Sequence, residues 1–327
     1  MNNLPPEQAL WSLINSHAIA RCVQVIAEFG VADALADRPM TAAELAAQTG
    51  TNADALHRML RLLVAHDMFA HEAEGYRHTP ASELLRTDHP RSLRALARMV
   101  GMPVMWNDFT ELASVAKTGK PALDWAGLVA YFAAHPEESS LFNQAMVSKS
   151  ARVVPAVIAA YDFSPFRLIA DIGGGRGHLL RAILERTPTA SGILFDLPHV
   201  IADIADHDLE RLRLQPGDFF TDALPTADAY VLMEVIHDWA DQDAEKILAA
   251  VRRAAPAHAR LLIVEALVSE SPGPHPSKVL DIFMLAVTGG RERTPSEYKT
   301  LLAGAGFRLE RVIPTPSQYS VVEAVVA

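Results

Sequence analysis

The chain has 327 residues, a formal net charge of −10 and one cysteine, Cys22. That length allows two domains with a sizeable core each, and a lone thiol excludes both a disulfide framework and a cysteine-rich zinc site. The acidic balance argues against a nucleic-acid surface, which needs clustered Lys and Arg to displace counterions. With no charged and apolar leader pattern at the N-terminus, and no apolar run long enough to span a bilayer, a cytoplasmic protein without membrane contact is expected.

Residues 7–29 are helical in period, but Leu10, Trp11, Leu13, Ile14, Ile19, Val23, Val25, Ile26 and Phe29 cover much more than one stripe. A helix so broadly apolar needs a second covering, from the chain itself or from another subunit. Its terminal position favours a subunit interface. Gly30 ends it. Residues 40–86 have the pattern of a winged helix-turn-helix. Thr41 with Glu44 caps AAELAAQ, Gly50 closes that helix, Asn52 caps ADALHRMLRLLVAHD, and Phe69 to Thr79 alternates around Gly75 as a hairpin. A DNA-binding regulator is one reading of such a unit. From Thr41 to Pro90, however, seven acids face four arginines and no lysine, a poor phosphate-binding surface. A dimerisation platform that keeps the topology is the preferred expectation.

From Ser92 to Tyr161 the pattern is helix after helix, broken at Gly101–Pro103 and Gly119–Pro121. This stretch carries Met99, Met102, Met105, Trp106, Trp125, Phe132, Phe142 and Met146, side chains that can line a pocket for a flat organic acceptor. Each of them singly also suits an ordinary core.

After Pro165 strands and helices alternate, with strands expected at 167–171, 192–196, 211–215, 228–233, 260–265, 307–313 and 319–326. The implied architecture is a Rossmann-like doubly wound α/β domain over 161–327, behind a helical dimerisation domain over 1–160. Asp171, Asp196, Asp218, His237 and Glu265 all fall at or just past strand ends, where such sheets bind ligands.

Within LIADIGGGRGHLLR (168–181) a buried strand ends near Asp171, and Gly173, Gly174, Gly175 and Gly177 turn into a helix. Glycines admit a ligand close to the backbone, and the free N–H groups of the helix start attract an electron-rich one. The spacing D-x-G-x-G-x-G departs from the dinucleotide G-x-G-x-x-G, and no Lys-Ser or Lys-Thr closes a Walker loop. Asp196, nineteen residues past Gly177, is placed for ribose hydroxyls. The run resembles motif I of class I S-adenosylmethionine-dependent methyltransferases; a nicotinamide-dependent dehydrogenase is the competing reading.

In AYVLMEVIHDWADQDAEKIL, His237 follows a buried strand, with Asp238 and Trp239 beside it. An imidazole of pKa about 6.5 accepts a proton near neutral pH, and a phenol becomes a better nucleophile as a base removes its proton. Glu265 and Glu292 are candidates to orient the ring through its other nitrogen.

VIHDW, FDLPHVI (195–201), GDFF (217–220), LLIVE and DIFMLAVTGGRERTPSEYKTLLAGAGF (281–307) together resemble the caffeate-type small-molecule O-methyltransferases and their bacterial natural-product relatives. The resemblance covers nearly the whole chain. It implies a homodimer, no metal, and methyl transfer from S-adenosyl-L-methionine to an aromatic or enolic hydroxyl, leaving S-adenosyl-L-homocysteine. Gly173 and Gly175, with Asp171 and Leu197, would lie at the cofactor; Asp196 would hold the ribose, and Asp218 and Phe219 would flank adenine. Ser150 would reach the cofactor carboxylate, and Met233 stands where plant members often carry lysine. His237 would be the base, bracketed by Glu265 and Glu292. Met102, Trp106, Phe142, Met146, Asp238, Phe283 and Met284 would line the acceptor pocket. N-methylation of a heteroaromatic ring and a non-methylating reaction on the same scaffold are the variants left open.

Overall fold

The computed structural model describes residues 4–35, 37–202, 204 and 210–327. The chain forms two compact units, Met1–Asn107 with Phe132–Lys149, and Asp108–Tyr131 with Ser150–Ala327. It therefore passes between units three times, where a single boundary near 160 was expected. The 25-residue helix Pro136–Ala160 begins in one unit and ends in the other. Helical periodicity alone carries no mark of such a change of neighbours.

In the first unit the expected helix over 7–29 is two helices, Pro6–Ile14 and Ser16–Glu28. The break lies at Asn15, whose Nδ2 donates to the Trp11 carbonyl at 2.8 Å, while Ser16 Oγ donates to that of Leu13 at 2.8 Å. These short polar side chains compete with the main chain for helical acceptors. The first helix buries none of its residues, and Trp11 is 70% exposed with Leu10, Leu13 and Ile14 beside it.

The winged unit forms as its caps dictate. Thr41 and Glu44 make a reciprocal capping box on Ala42–Thr49, Gly50 closes that helix in the left-handed region, and Asn52 Oδ1 accepts the Ala55 N–H at 3.0 Å. Ala53–Val64 buries Leu56, Leu60 and Leu63 along one face, against Ile26, Leu45, Phe69 and Tyr76. Strands β1 (Phe69–Glu72) and β2 (Gly75–His78) form the antiparallel wing. At Gly75, φ is +133° and any Cβ would overlap the Met40 carbonyl, so glycine is required for the bridge between Met40 and Tyr76.

In the second unit seven strands make one sheet: β3 (Leu168–Ile172), β4 (Ser191–Asp196), β5 (Leu212–Pro216), β6 (Ala229–Met233), β7 (Arg260–Glu265), β8 (Phe307–Pro314) and β9 (Ser320–Val326). Their order is β5-β4-β3-β6-β7-β9-β8, with β5 through β7 parallel and the last two strands antiparallel. Each expected strand is present within a residue of its expected ends; in the central ones, buried runs such as residues 229–232 pack on both faces. The order reverses between β3 and β6, which opens a crevice at their carboxyl ends. Among the described residues, no helix is long and apolar enough to cross a membrane.

Candidate active site

The five acidic and imidazole side chains expected at the sheet edge are all there: Asp171 inside β3, Asp196 closing β4, Asp218 just past β5, His237 past β6 and Glu265 closing β7. They fall into two clusters of different construction.

The first surrounds the glycine turn. Gly173, Gly175 and Gly177 have φ of +68°, +57° and +74°, conformations that a side chain resists. A Cβ on Gly173 would meet Val235 at 3.0 Å, whereas one on Gly175 would project into open space. Asp196 Oδ2 accepts the Gly175 N–H at 2.7 Å and Oδ1 accepts the Leu197 N–H at 2.7 Å, which ties the end of β4 to the turn. Each oxygen keeps a lone pair for a hydroxyl donor. Burial raises the Asp196 carboxyl above its usual range, partly offset by those two N–H groups. Asp171 is 1% exposed and its Oδ1 has no hydrogen-bond partner. Burial, with the charge of Asp196, pushes its pKa up to about 7. An orphan buried acceptor, an open cradle at Gly175 and a second-strand carboxylate fit an adenosine-type ligand.

Past β5, Asp218 Oδ1 accepts the Phe220 N–H at 2.8 Å, so an Asx turn fixes the Asp218–Phe220 backbone. Phe219 packs edge-on to Trp239, with centroids 6.0 Å apart, and stands 3.7 Å from where a Gly173 Cβ would be. Met233 ends β6 half-buried; the next residue, Glu234, has φ +58° and accepts the Tyr319 hydroxyl. A non-glycine residue held left-handed at a strand end marks a constrained site. Ser150 is buried on Pro136–Ala160.

The second cluster surrounds His237, which lies in the short 3₁₀ turn Ile236–Asp238. Its Nδ1 pairs with Glu292 Oε1 at 2.7 Å, and its main-chain N–H donates to Glu265 Oε1 at 2.9 Å. Nε2 lies 3.7 Å from Asp238 Oδ1. The Tyr298 hydroxyl donates to the other oxygen of Glu265, and Asp281 Oδ1 accepts the Glu292 N–H at 2.9 Å. His237, Glu265, Glu292 and Tyr298 are all buried. Burial by itself would lower the imidazole pKa; the charges of Asp238, Glu292 and Glu265 outweigh it and raise it to about 10. Burial pushes Glu265 up to about 7. The imidazole is thus oriented by a carboxylate on Nδ1 and faces a second one at Nε2, an arrangement that favours its protonated form.

Of the expected acceptor-pocket residues, Phe283 and Met284 lie in the same unit as His237, on the helix Pro276–Val287, where Phe283 packs on Phe109 at 5.9 Å between centroids. Met102, Trp106, Phe142 and Met146 belong to the first unit. There Phe142 packs against Phe132 at 4.8 Å, and the Trp106 indole donates to Gln24 at 2.8 Å with Arg21 over its ring. Sequence reasoning missed Tyr298, Asp281 and Glu234. The first two lie in the late segment already singled out, but only their contacts reveal a role.

Residues 109–308 match the family model of the O-methyltransferase domain, and residues 11–88 match that of the O-methyltransferase dimerisation domain. The chain is 41% identical to phenazine O-methyltransferase of Lysobacter antibioticus, across 98% of this chain and 96% of that protein. It is 36% identical to the 8-amino-8-demethylriboflavin N,N-dimethyltransferase of Streptomyces davaonensis, across 93% and 91% of the two. Among solved structures, CalO1, a methyltransferase in calicheamicin biosynthesis in its SAH-bound form, superposes with a TM-score of 0.89 at 36% identity, covering 99% of this chain and 100% of that one.

Proposed function

The chain belongs to the O-methyltransferase family and is an S-adenosylmethionine-dependent enzyme, and from that premise we propose that it methylates a hydroxyl of a small planar aromatic natural product with His237 as general base. The observation that carries this reading is the buried Nδ1 to Glu292 contact of 2.7 Å at the carboxyl end of the sheet, which commits Nδ1 to a carboxylate and fixes the direction in which Nε2 points.

Asp196 is the ribose ligand in this reading, since both of its oxygens are aimed by main-chain donors and retain acceptor capacity. Asp171, Gly173, Gly175 and Leu197 would border the cofactor, Asp218 and Phe219 would flank its base, and Met233 and Ser150 would serve its amino-acid end. Bound S-adenosylmethionine supplies an electrophilic sulfonium methyl. Glu292 holds the ring by Nδ1, Nε2 faces Asp238 Oδ1 at 3.7 Å, and Glu265 fixes the main chain beneath it. Nε2 takes the hydroxyl proton as the acceptor oxygen becomes a nucleophile. The reactive state contains one proton shared between imidazole and phenol. Because the surrounding carboxylates hold the imidazolium, that state becomes more populated as pH rises above neutral.

Phe283, Met284 and Asp238 are assigned to the acceptor pocket. A flat acceptor is supported by their chemistry and by the likeness to a phenazine O-methyltransferase. The dimerisation-domain match and the exposed Leu10, Trp11, Leu13 and Ile14 face support a homodimer. N-methylation is the second reading, favoured by the likeness to an N,N-dimethyltransferase.

The test is transfer of labelled methyl from S-adenosylmethionine to hydroxyphenazines, hydroxyquinones, phenols and aromatic amines, with the parent and His237→Ala compared. Label on oxygen, lost in the variant, is the expected result. Label on nitrogen that survives His237→Ala would replace the reading with the second one.

A further inference from the structure

Residues 290–293 touch the His237 turn one after another. A Cβ on Gly290 would overlap the His237 carbonyl, Arg291 N–H donates to that carbonyl at 2.8 Å, and Glu292 takes the imidazole. Arg293 does something different. It is the largest fully buried side chain among the described residues, 1% exposed, and a guanidinium is buried at low cost only where its donors are satisfied. Nη1 donates to the Ile236 carbonyl at 3.1 Å, and more weakly to that of Arg291 at 3.4 Å. Nη2 donates to the Trp239 carbonyl at 2.9 Å, and Nε and Nη2 both reach Asp241 Oδ1 at 3.0 and 2.9 Å.

Its acceptors therefore bracket His237: one residue before, two after, and the first residue of the helix Asp241–Ala254. The turn's own bonds are two long main-chain ones, from the Asp238 N–H to the Val235 carbonyl at 3.3 Å and from the Trp239 N–H to that of Ile236 at 3.2 Å. Val235 and Ala240, the caps of the turn and of the following helix, supply no side-chain hydrogen bond. We propose that Arg293 is a positioning residue, a buried clamp that fixes the main chain on both sides of His237 so that the imidazole presents Nε2 to the acceptor while Nδ1 stays on Glu292. This role rests on the reading of His237 as the base. It needs the fork geometry of arginine, because a lysine ammonium reaches one or two of these acceptors but not all three.

The experiment compares Arg293→Lys, Asp241→Ala and His237→Ala in the full chain, with kcat, KM for S-adenosylmethionine and the pH profile of kcat as readouts. Arg293→Lys lowers kcat by about 10²-fold, since a misplacement of about 1 Å has that effect, with KM for S-adenosylmethionine little changed and the acid limb of the profile displaced. Asp241→Ala removes the half-exposed end of the clamp and lowers kcat by about tenfold; it decides the matter if Arg293→Lys does not fold. In the His237→Ala background, Arg293→Lys adds no further loss, because both act through one group. Parent-like kcat and pH profile in the folded clamp variants, beside an inactive His237→Ala, would overturn the clamp and leave the base in place; so would a further loss in the double variant. Full activity of His237→Ala would remove the base reading, and the purpose assigned to Arg293 with it.

Discussion

The glycine turn and the His237 cluster stand at the same sheet edge and are built in opposite ways. The turn is local: five residues, 173–177, with three glycines at positive φ and one carboxylate from the next strand accepting a main-chain N–H. Its working parts are backbone donors and the absence of side chains. The His237 cluster is non-local. It joins residues 28 and 55 positions apart in sequence, and its working parts are buried charges that only their mutual contacts make tolerable. A binding surface can be cut from backbone, whereas a base of altered strength needs charged neighbours in low dielectric.

This contrast predicts that damage at the two places separates binding from chemistry. His237→Ala should have the largest effect, lowering turnover by about 10²-fold or more while calorimetry shows little change in S-adenosylhomocysteine affinity. An unchanged rate on a phenolic acceptor at neutral pH would defeat the assignment. Glu292→Gln should come next, lowering kcat by about tenfold, and its pH profile sharpens the electrostatic side. The rate should rise with pH as the imidazolium loses its proton; neighbouring carboxylates raise that pKa to about 10, so removing one lowers it and moves the limb to lower pH. A limb that moves upward would refute the charge argument.

At the other pole, Gly175→Ala should weaken cofactor affinity by about tenfold, or ~1.4 kcal/mol, with kcat at saturating cofactor nearly intact. The left-handed conformation adds a stability loss of roughly 1 kcal/mol, seen as a lower Tm without cofactor. Loss of kcat with unchanged affinity would erase the contrast between the sites. Trp11→Glu lies outside both, on the exposed apolar helix, and should shift light scattering toward monomer with a milder loss of activity. A parent-like mass would remove that face from the subunit interface.

Much of this was legible in the order of residues. Thr41 with Glu44, Asn52 and Gly50 set helix boundaries by hydrogen bonds that span three or four positions, and the structure keeps each one. The same holds for the central strands β3, β4, β6 and β7, whose apolar runs report burial directly. The helix expected over 7–29 misled because apolar periodicity is blind to polar side chains such as Asn15 and Ser16 that take over main-chain acceptors. Trp106 was legible as an aromatic in a soft cluster, yet its bond to Gln24 and its stacking under Arg21 join it to a helix some eighty residues earlier.

By itself, then, the sequence determined what depends on neighbours along the chain: the capped helices, the buried strands and the glycine turn with its ligand class. It also named His237 and Glu265, because strand ends are where a parallel sheet exposes its site, and Glu292, which the structure places not at a strand end but in the loop between the helices Pro276–Val287 and Pro295–Gly304. Only the tertiary structure decided how they work together. Which oxygen faces which nitrogen, that Tyr298 anchors Glu265, and that Arg293 is buried against the turn of His237 all follow from long-range packing of charged groups. Such pairing leaves no periodicity behind, since its energy comes from distances across the fold rather than from spacing along the chain.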